Sequence, residues 1–182
     1  MKAICGLKVG LAILSGVALT APRPMYGSSG ANTAAASTLE EQVRRQLVSL
    51  PYYSVFDNLL FHVEAGQVTL TGQVTRPVVK EDAERAVRSL PGVHGVNSQI
   101  EVLPLSRTDD QIRRSIYYAV YEYGPLQRYG SGAQPAIRIV VKNGNVTLTG
   151  AVASAIDRTM VFQRAKTVPG VFSVTNNLLI EV

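Results

Sequence analysis

Cysteine and histidine are scarce in this chain of 182 residues, and their scarcity excludes several kinds of site. The one cysteine is Cys5, near the amino terminus, and the two histidines are His62 and His94. A structural zinc site normally takes four cysteine or histidine ligands, more than the chain has available. The sequence therefore predicts no metal site.

Candidate catalytic groups are correspondingly few, because histidine, cysteine or converging carboxylates usually supply them. His62 falls on the outward face of a predicted strand and His94 in a loop, so we interpret both as structural or solvated. Glu81, Asp82 and Glu84 cluster near the start of a predicted helix, where acidic side chains favour the helix dipole without any catalytic role. Neither glycine pattern of a nucleotide-binding loop occurs. We predict a protein that has no catalytic residues and no cofactor.

The apolar run at residues 9–19 has roughly half the 20 residues needed to cross a bilayer. It follows Lys2 and Lys8, an arrangement that is typical of a secretory signal. We predict a signal peptide over residues 1–30, with cleavage somewhere between residues 21 and 37. The alternative is an uncleaved membrane anchor.

The segment after the predicted signal is small and mostly polar. Residues 31–37 show no periodicity, which predicts a flexible tether. Removal of the signal takes Cys5 with it, so the exported product would contain no disulfide. Because Cys5 lies at the start of the apolar run rather than at its end, we do not expect lipid attachment.

Two stretches of the chain nearly repeat each other, GQVTLTGQV at residues 66–74 and GNVTLTGAV at residues 144–152. A shift of 78 residues aligns the surrounding sequence, whereas a shift of 69 aligns the segments further upstream. The difference is a nine-residue insertion in the second copy, at about residues 124–134. The sequence therefore predicts two modules, residues 38–104 and residues 105–182.

Each module opens on a predicted amphipathic helix. In the first module Leu39, Val43 and Leu47 recur at helical spacing. A threonine stands at the expected start of each helix, with Glu or Gln three residues later, which predicts a capping box at Thr38 and another at Thr108.

Strand alternation and turn residues follow each helix. Leu59, Phe61 and Val63 alternate with more polar neighbours, and glycine-containing turns predict a hairpin. We interpret Gly72, at a buried position of the return strand, as room for the close approach of a helix. A second helix then precedes a last strand, which makes a right-handed parallel crossover. The predicted fold is α+β, with a small three-stranded mixed sheet and two helices on one face in each module.

This combination resembles the BON domain (bacterial OsmY and nodulation) given twice. The similarity is carried by V-x-x-G-x-V-T-L-x-G-x-V, the following helix and the "PGV" before the last strand, and it covers residues 38–182. It implies a non-enzymatic periplasmic module that associates with phospholipid or with envelope proteins and supports envelope integrity under stress. The family's motif glycines, which the resemblance marks as structural, are Gly66, Gly72, Gly92, Gly144, Gly150 and Gly170.

Charge and tyrosine distinguish the two modules. Residues 38–104 hold six basic and eight acidic residues, net −2, whereas residues 105–182 hold nine and five, net +4. The second module also has five of the eight tyrosines. Tyrosine suits a membrane interface, and nearby arginines attract anionic lipid. We therefore predict a peripheral contact with anionic phospholipid, with these candidate residues: Arg113, Arg114, Tyr117, Tyr118, Tyr121, Arg128 and Tyr129.

The same residues also allow other interpretations. Some of these tyrosines can instead pack between the modules, because residues 117, 118 and 121 do not share one narrow stripe of a helix. A chaperone-like or protein-binding module without lipid contact is the alternative function. Nucleic-acid binding would use similar residues, but the export signal and the modest charge argue against it.

Overall fold

The computed structural model of the protein describes residues 29–131 and 135–181. The predicted signal peptide therefore lies almost wholly outside the described residues. The elements are α1 (Ser29–Val48), β1 (Asn58–Glu64), β2 (Gln67–Val74), α2 (Pro77–Arg88), β3 (Gly95–Val102), α3 (Arg107–Tyr121), a 3-10 helix (Gly124–Gly130), β4 (Ile137–Lys142), β5 (Asn145–Val152), α4 (Ala155–Lys166) and β6 (Ser173–Ile180).

The described elements form two modules with the same topology. In module 1, β2 is the central strand, paired antiparallel with β1 and parallel with β3. In module 2, β5 is central between antiparallel β4 and parallel β6. Each module has its own buried apolar cluster between sheet and helices. These observations confirm the predicted α+β fold with two mixed three-stranded sheets.

The helix starts differ from those expected of the sequence. Helix α1 begins at Ser29, so Thr38 lies inside it, and residues 31–37 are helical where the sequence predicted a flexible tether. Four of those seven residues are alanine, the strongest helix former, which explains the difference. Helix α3 is capped by Ser106, whose Oγ accepts from the Asp109 N–H at 3.1 Å. Both threonine caps predicted from the sequence are therefore wrong.

Gly72 has a different role from the predicted close approach of a helix. Its φ is +115°, and a Cβ at this position would lie 2.0 Å from the backbone oxygen of Asn58, where β1 begins. Gly150 repeats this geometry against Ala136 in module 2. The glycine therefore serves the close pairing of two strands, and any side chain there would collide with backbone.

Module 1 reaches into module 2 through the loop between α1 and β1. Val55 is buried within the apolar cluster of module 2, and Phe56 packs against the same cluster. The Ile139 N–H on β4 donates to the Val55 carbonyl at 2.9 Å, and Arg138 donates to the Ser54 carbonyl at 3.1 Å. The core of module 2 is thus completed by residues of module 1.

A buried carboxylate shapes that loop. The Asp57 carboxylate accepts from the backbone N–H and the hydroxyl of Ser54, at 2.8 and 2.7 Å. It also accepts from the backbone N–H and the hydroxyl of Thr75, at 2.6 and 2.8 Å, and the residue is fully buried. These bonds tie the loop to the end of β2 and fix the chain just before and after Val55.

The corresponding loop of module 2 folds back onto its own module. Leu126 and Tyr129, on the 3-10 helix within the predicted insertion, are buried in the module 2 cluster. The Tyr129 hydroxyl accepts from the Ala153 N–H at 2.9 Å, and Ala153 is the equivalent of Thr75 under the 78-residue shift. The insertion therefore supplies core and replaces the Asp57 carboxylate with a tyrosine hydroxyl.

Candidate functional site

Helix α3 carries most of the predicted lipid-contact residues and has two distinct faces. Ile112, Ile116 and Val120 recur at helical spacing and are buried against the module 2 sheet. The opposite face turns to solvent, as expected of an amphipathic surface helix.

Three of the candidates share the exposed face. Arg114 lies one helical turn before Tyr117 and Tyr118, and the exposed fractions of the two tyrosines are 37% and 54%. The Tyr117 ring meets the Tyr118 ring edge-on, with 5.8 Å between centroids. It also meets the Phe56 ring of module 1 at 6.2 Å. We call Arg114, Tyr117 and Tyr118 the α3 surface.

Arg113 lies outside the α3 surface. The residue is only 4% exposed, and its guanidinium donates to the Val141 carbonyl at 2.6 Å and to the Asp110 carboxylate at 2.5 Å. Its Nε atom is buried without a hydrogen-bond partner among the described atoms. Its counterpart in module 1, Arg44, is exposed. Arg113 thus joins α3 to the end of β4 and cannot reach a membrane surface in this structure.

Tyr121 and Tyr129 are also buried. The Tyr121 hydroxyl donates to the Ile137 carbonyl at 2.6 Å, and burial raises the pKa of this phenol well above its usual value. The Tyr129 hydroxyl donates to the Asp157 carboxylate at 2.7 Å. Both rings contribute to the core of module 2 rather than to its surface, which corrects their expected membrane contact.

Arg128 is exposed but paired. Its guanidinium forms an ion pair with Asp157 and stacks on the Tyr129 ring, with 5.0 Å to the centroid. Burial alone would raise the pKa of Asp157, but hydrogen bonds from Tyr129, Ser154 and Arg128 hold that pKa below its usual range. Arg128 therefore braces the start of α4 and has only part of its charge available to a ligand.

A groove of about 610 Å³ lies where the two modules meet, beside the α3 surface. It is lined by the loop after α1, the β2–α2 junction, the linker before α3, and one side of α3 itself. We call it the inter-module groove, with the lining residues Tyr52, Tyr53, Ser54, Phe56, Thr75, Arg76, Leu103, Pro104, Leu105, Asp110, Arg113 and Arg114.

Tyr52 at this groove has an unusual backbone. Its φ is +65°, in the left-handed region that a bulky residue rarely adopts. Holding a non-glycine residue there costs of order 1–3 kcal/mol. The exposed Tyr52 ring lies against the Arg76 guanidinium, 5.5 Å from centroid to carbon. The strained backbone at Tyr52 therefore holds the Tyr52 ring beside the Arg76 guanidinium at the groove.

Three further sequence predictions concern the histidines, metal ions and membrane-spanning helices. His62 and His94 are both exposed, and the His94 ring lies 3.2 Å from the Ala65 carbonyl. Within residues 29–131 and 135–181, no cluster of three or more potential ligands is placed to hold a metal ion. None of the helices in that part of the chain combines the length and apolar character that a bilayer crossing requires.

Apart from Arg113 and Arg114, the lining residues of the inter-module groove were not predicted from the sequence as site residues. Tyr52 and Phe56 belong to "PYYSVF", an apolar aromatic stretch between a predicted helix and strand. Such a stretch in a loop signals burial against another unit, since loops are ordinarily polar surface segments. Arg76 and Leu105 carried no comparable signal, because their role depends on how the modules meet.

The two α-β-β-α-β modules, each with a mixed three-stranded sheet, define a tandem-repeat α+β protein. The model of the BON domain family matches residues 35–104 and again residues 108–181. The chain therefore belongs to the BON domain family, as a tandem-repeat member. BON domains are non-catalytic, envelope-associated modules that bind phospholipid or protein peripherally.

Comparison with characterised proteins adds little beyond the family. No curated protein matches significantly. Among solved structures, the chain is similar to the C-terminal domain of CdsD, a structural protein of the type III secretion system of Chlamydia trachomatis. That match has 12% identity, a TM-score of 0.33, and coverage of 79% of this chain and 98% of the other. A second CdsD structure matches with 13% identity, a TM-score of 0.31, and coverage of 79% and 93%.

Proposed function

We propose that this protein is a non-enzymatic periplasmic protein that associates with anionic phospholipid surfaces through module 2 and supports envelope integrity under stress. The observation that carries the proposal is the α3 surface, which places Arg114 beside two exposed tyrosines. Tyrosine has an apolar ring and a polar end, so it suits the boundary between headgroups and acyl chains. Each arginine near an anionic surface adds about 1 kcal/mol of attraction.

Module 1 lacks this combination at equivalent positions. Under the 69-residue shift, Tyr117 and Tyr118 correspond to Val48 and Ser49, and Arg114 corresponds to Arg45. Module 1 is also net negative, whereas module 2 is net positive. Both differences favour an orientation in which module 2 faces the membrane.

Flotation with vesicles tests the proposal. We expect binding to vesicles that contain phosphatidylglycerol, weaker binding to phosphatidylcholine vesicles, and a loss of binding as salt rises. Arg114→Glu should weaken binding at least about fivefold, from the loss of one favourable charge. Arg45→Glu is the matched control, because it makes the same change at the equivalent exposed position of module 1.

The tyrosines need a separate variant. Tyr117→Ser combined with Tyr118→Ser should weaken binding even at high salt, because these rings contribute apolar contact. Arg113 stays unchanged in every variant, since its burial makes any loss of binding ambiguous. Equal binding to both vesicle types, or equal effects of Arg114→Glu and Arg45→Glu, would contradict the proposal.

A second candidate function is protein binding at the free edge of β6. Leu179 on this edge strand is 71% exposed and takes the place of Glu101 in module 1. An edge strand without a protecting charge is suited to pairing with an extended segment of another protein. Suppression of client aggregation without lipid, abolished by Leu179→Glu, would favour this candidate.

A further inference from the structure

The inter-module groove carries positive charge that its own residues leave unbalanced. Arg76 lines it from module 1 and Arg114 from module 2. Neither makes an ion pair within the described residues. Asp110 also lines the groove, but its carboxylate is already paired with Arg113. An anion that enters the groove therefore meets one unpaired arginine from each module.

The same groove has an apolar part. Tyr52, Phe56 and Leu105 line it, and Leu105 is 96% exposed in the structure. An almost fully exposed leucine beside two aromatic rings leaves apolar surface that a ligand chain would cover. The volume of about 610 Å³ is within the range of about 300–1,000 Å³ that is usual for small-molecule sites.

We propose that the inter-module groove binds one molecule of a single-chain phosphate amphiphile, with the phosphate on Arg76 and Arg114 and the chain on Tyr52, Phe56 and Leu105. Guanidinium groups match phosphate oxygens in geometry and charge, which favours this headgroup over a neutral one. The inference deepens the proposed function, on which it rests for the membrane as the source of the amphiphile. It adds a site for an individual molecule, formed by both modules.

Titration calorimetry with decyl phosphate below its micelle concentration tests this site in the full exported chain. We expect one molecule bound per chain, at least tenfold tighter than inorganic phosphate and tenfold tighter than decyl glucoside, which has the same chain without charge. Arg76→Gln and, separately, Leu105→Ser should each weaken decyl phosphate binding about tenfold. Both side chains are exposed, so we expect unchanged circular dichroism and thermal unfolding.

Two variants separate this inference from the proposed function. Arg76→Gln should leave phosphatidylglycerol vesicle binding within twofold of the original, because Arg76 lies outside the α3 surface. Tyr118→Ser should weaken vesicle binding but leave decyl phosphate binding unchanged, because Tyr118 does not line the groove.

The results of these experiments decide whether the inter-module groove is a binding site. Equal binding of inorganic phosphate or decyl glucoside, or unchanged decyl phosphate affinity in both Arg76→Gln and Leu105→Ser, would overturn the groove assignment. Vesicle binding without decyl phosphate binding would also overturn it and leave the proposed function standing. Decyl phosphate binding without vesicle binding would support the groove and contradict the proposed function.

Discussion

Module 1 and module 2 share their strand order and their motif glycines but differ in the loop between first helix and first strand. In module 1 this loop reaches outward, and Val55 lies in the core of the neighbouring module. In module 2 the longer loop forms a 3-10 helix that packs Leu126 and Tyr129 onto its own core. The difference shows that the repeat preserves the sheet and helices, while the loop determines how the modules meet.

The two loops satisfy the same backbone group with different chemistry. The N–H that follows the central strand donates to the Asp57 carboxylate in module 1 and to the Tyr129 hydroxyl in module 2. A buried N–H left without a partner costs free energy comparable to a lost hydrogen bond. Substitution of Asp57 therefore tests module 1, and substitution of Tyr129 tests module 2.

The largest effect is expected from Asp57→Ala. The substitution removes four hydrogen bonds to a buried carboxylate and leaves two backbone N–H groups without acceptors. We expect the free energy of unfolding to fall by about 4 kcal/mol, measured by urea denaturation. Asp57→Asn retains one acceptor oxygen and should cost roughly half as much. A loss below about 1 kcal/mol would show that the loop does not depend on this carboxylate.

A smaller effect is expected from Tyr129→Phe. The ring remains in the core, but the Ala153 N–H and the Asp157 carboxylate lose the hydroxyl. We expect a loss of about 1–2 kcal/mol in the free energy of unfolding. Tyr118→Phe is the matched control, because it removes an exposed hydroxyl from the same module.

The same variant changes the response to acid. The lowered pKa of Asp157 stabilises the fold above the usual carboxyl range, and this stability is lost as pH falls through the lowered pKa. Without the Tyr129 hydroxyl, that pKa moves up toward its usual value, so Asp157 contributes less stability at neutral pH and the loss of stability on acidification should be smaller. Thermal unfolding between neutral pH and strong acid measures this shift, and identical acid profiles would argue against it.

The smallest effect is expected from Lys142→Gln. Lys142 of module 2 forms an ion pair with Glu101 of module 1 at 2.5 Å. Hydrogen bonds from Gln73 and Lys142 lower the pKa of Glu101. Because both side chains are partly exposed, we expect a loss of about 0.5 kcal/mol at low salt and almost none at high salt. Unfolding at two ionic strengths measures it, and a loss that salt does not change would contradict an ion-pair origin.

Features set by local sequence could be predicted, and features set by contact between modules could not. Helices and turns have local signals. The helical spacing of Leu39, Val43 and Leu47 identified a helix, and Gly66 and Gly144, which adopt positive φ, identified the hairpin turns. The start of α1 was missed because a run of alanines carries no apolar period, although it favours helix.

The candidate site was also predicted only in part. Tyr117 and Tyr118 are exposed as the lipid interpretation requires, whereas Arg113 is buried although its equivalent Arg44 is exposed. The two arginines occupy matched positions in repeated sequence, so no local rule separates them. Arg113 is buried by contacts within its own module, with Asp110 and the Val141 carbonyl, whereas Arg44 stays exposed near Glu41.

The Val55 contact also bears on the order in which the two modules fold. Module 1 precedes module 2 in the chain, and domains generally fold from the amino terminus as they emerge. Until module 2 folds, Val55 and Phe56 cannot pack into its core, and the Val55 carbonyl lacks the hydrogen bond from the Ile139 N–H. A first module that folds before the second therefore exposes Val55 and Phe56 to solvent, and these apolar side chains are then open to contact with other molecules.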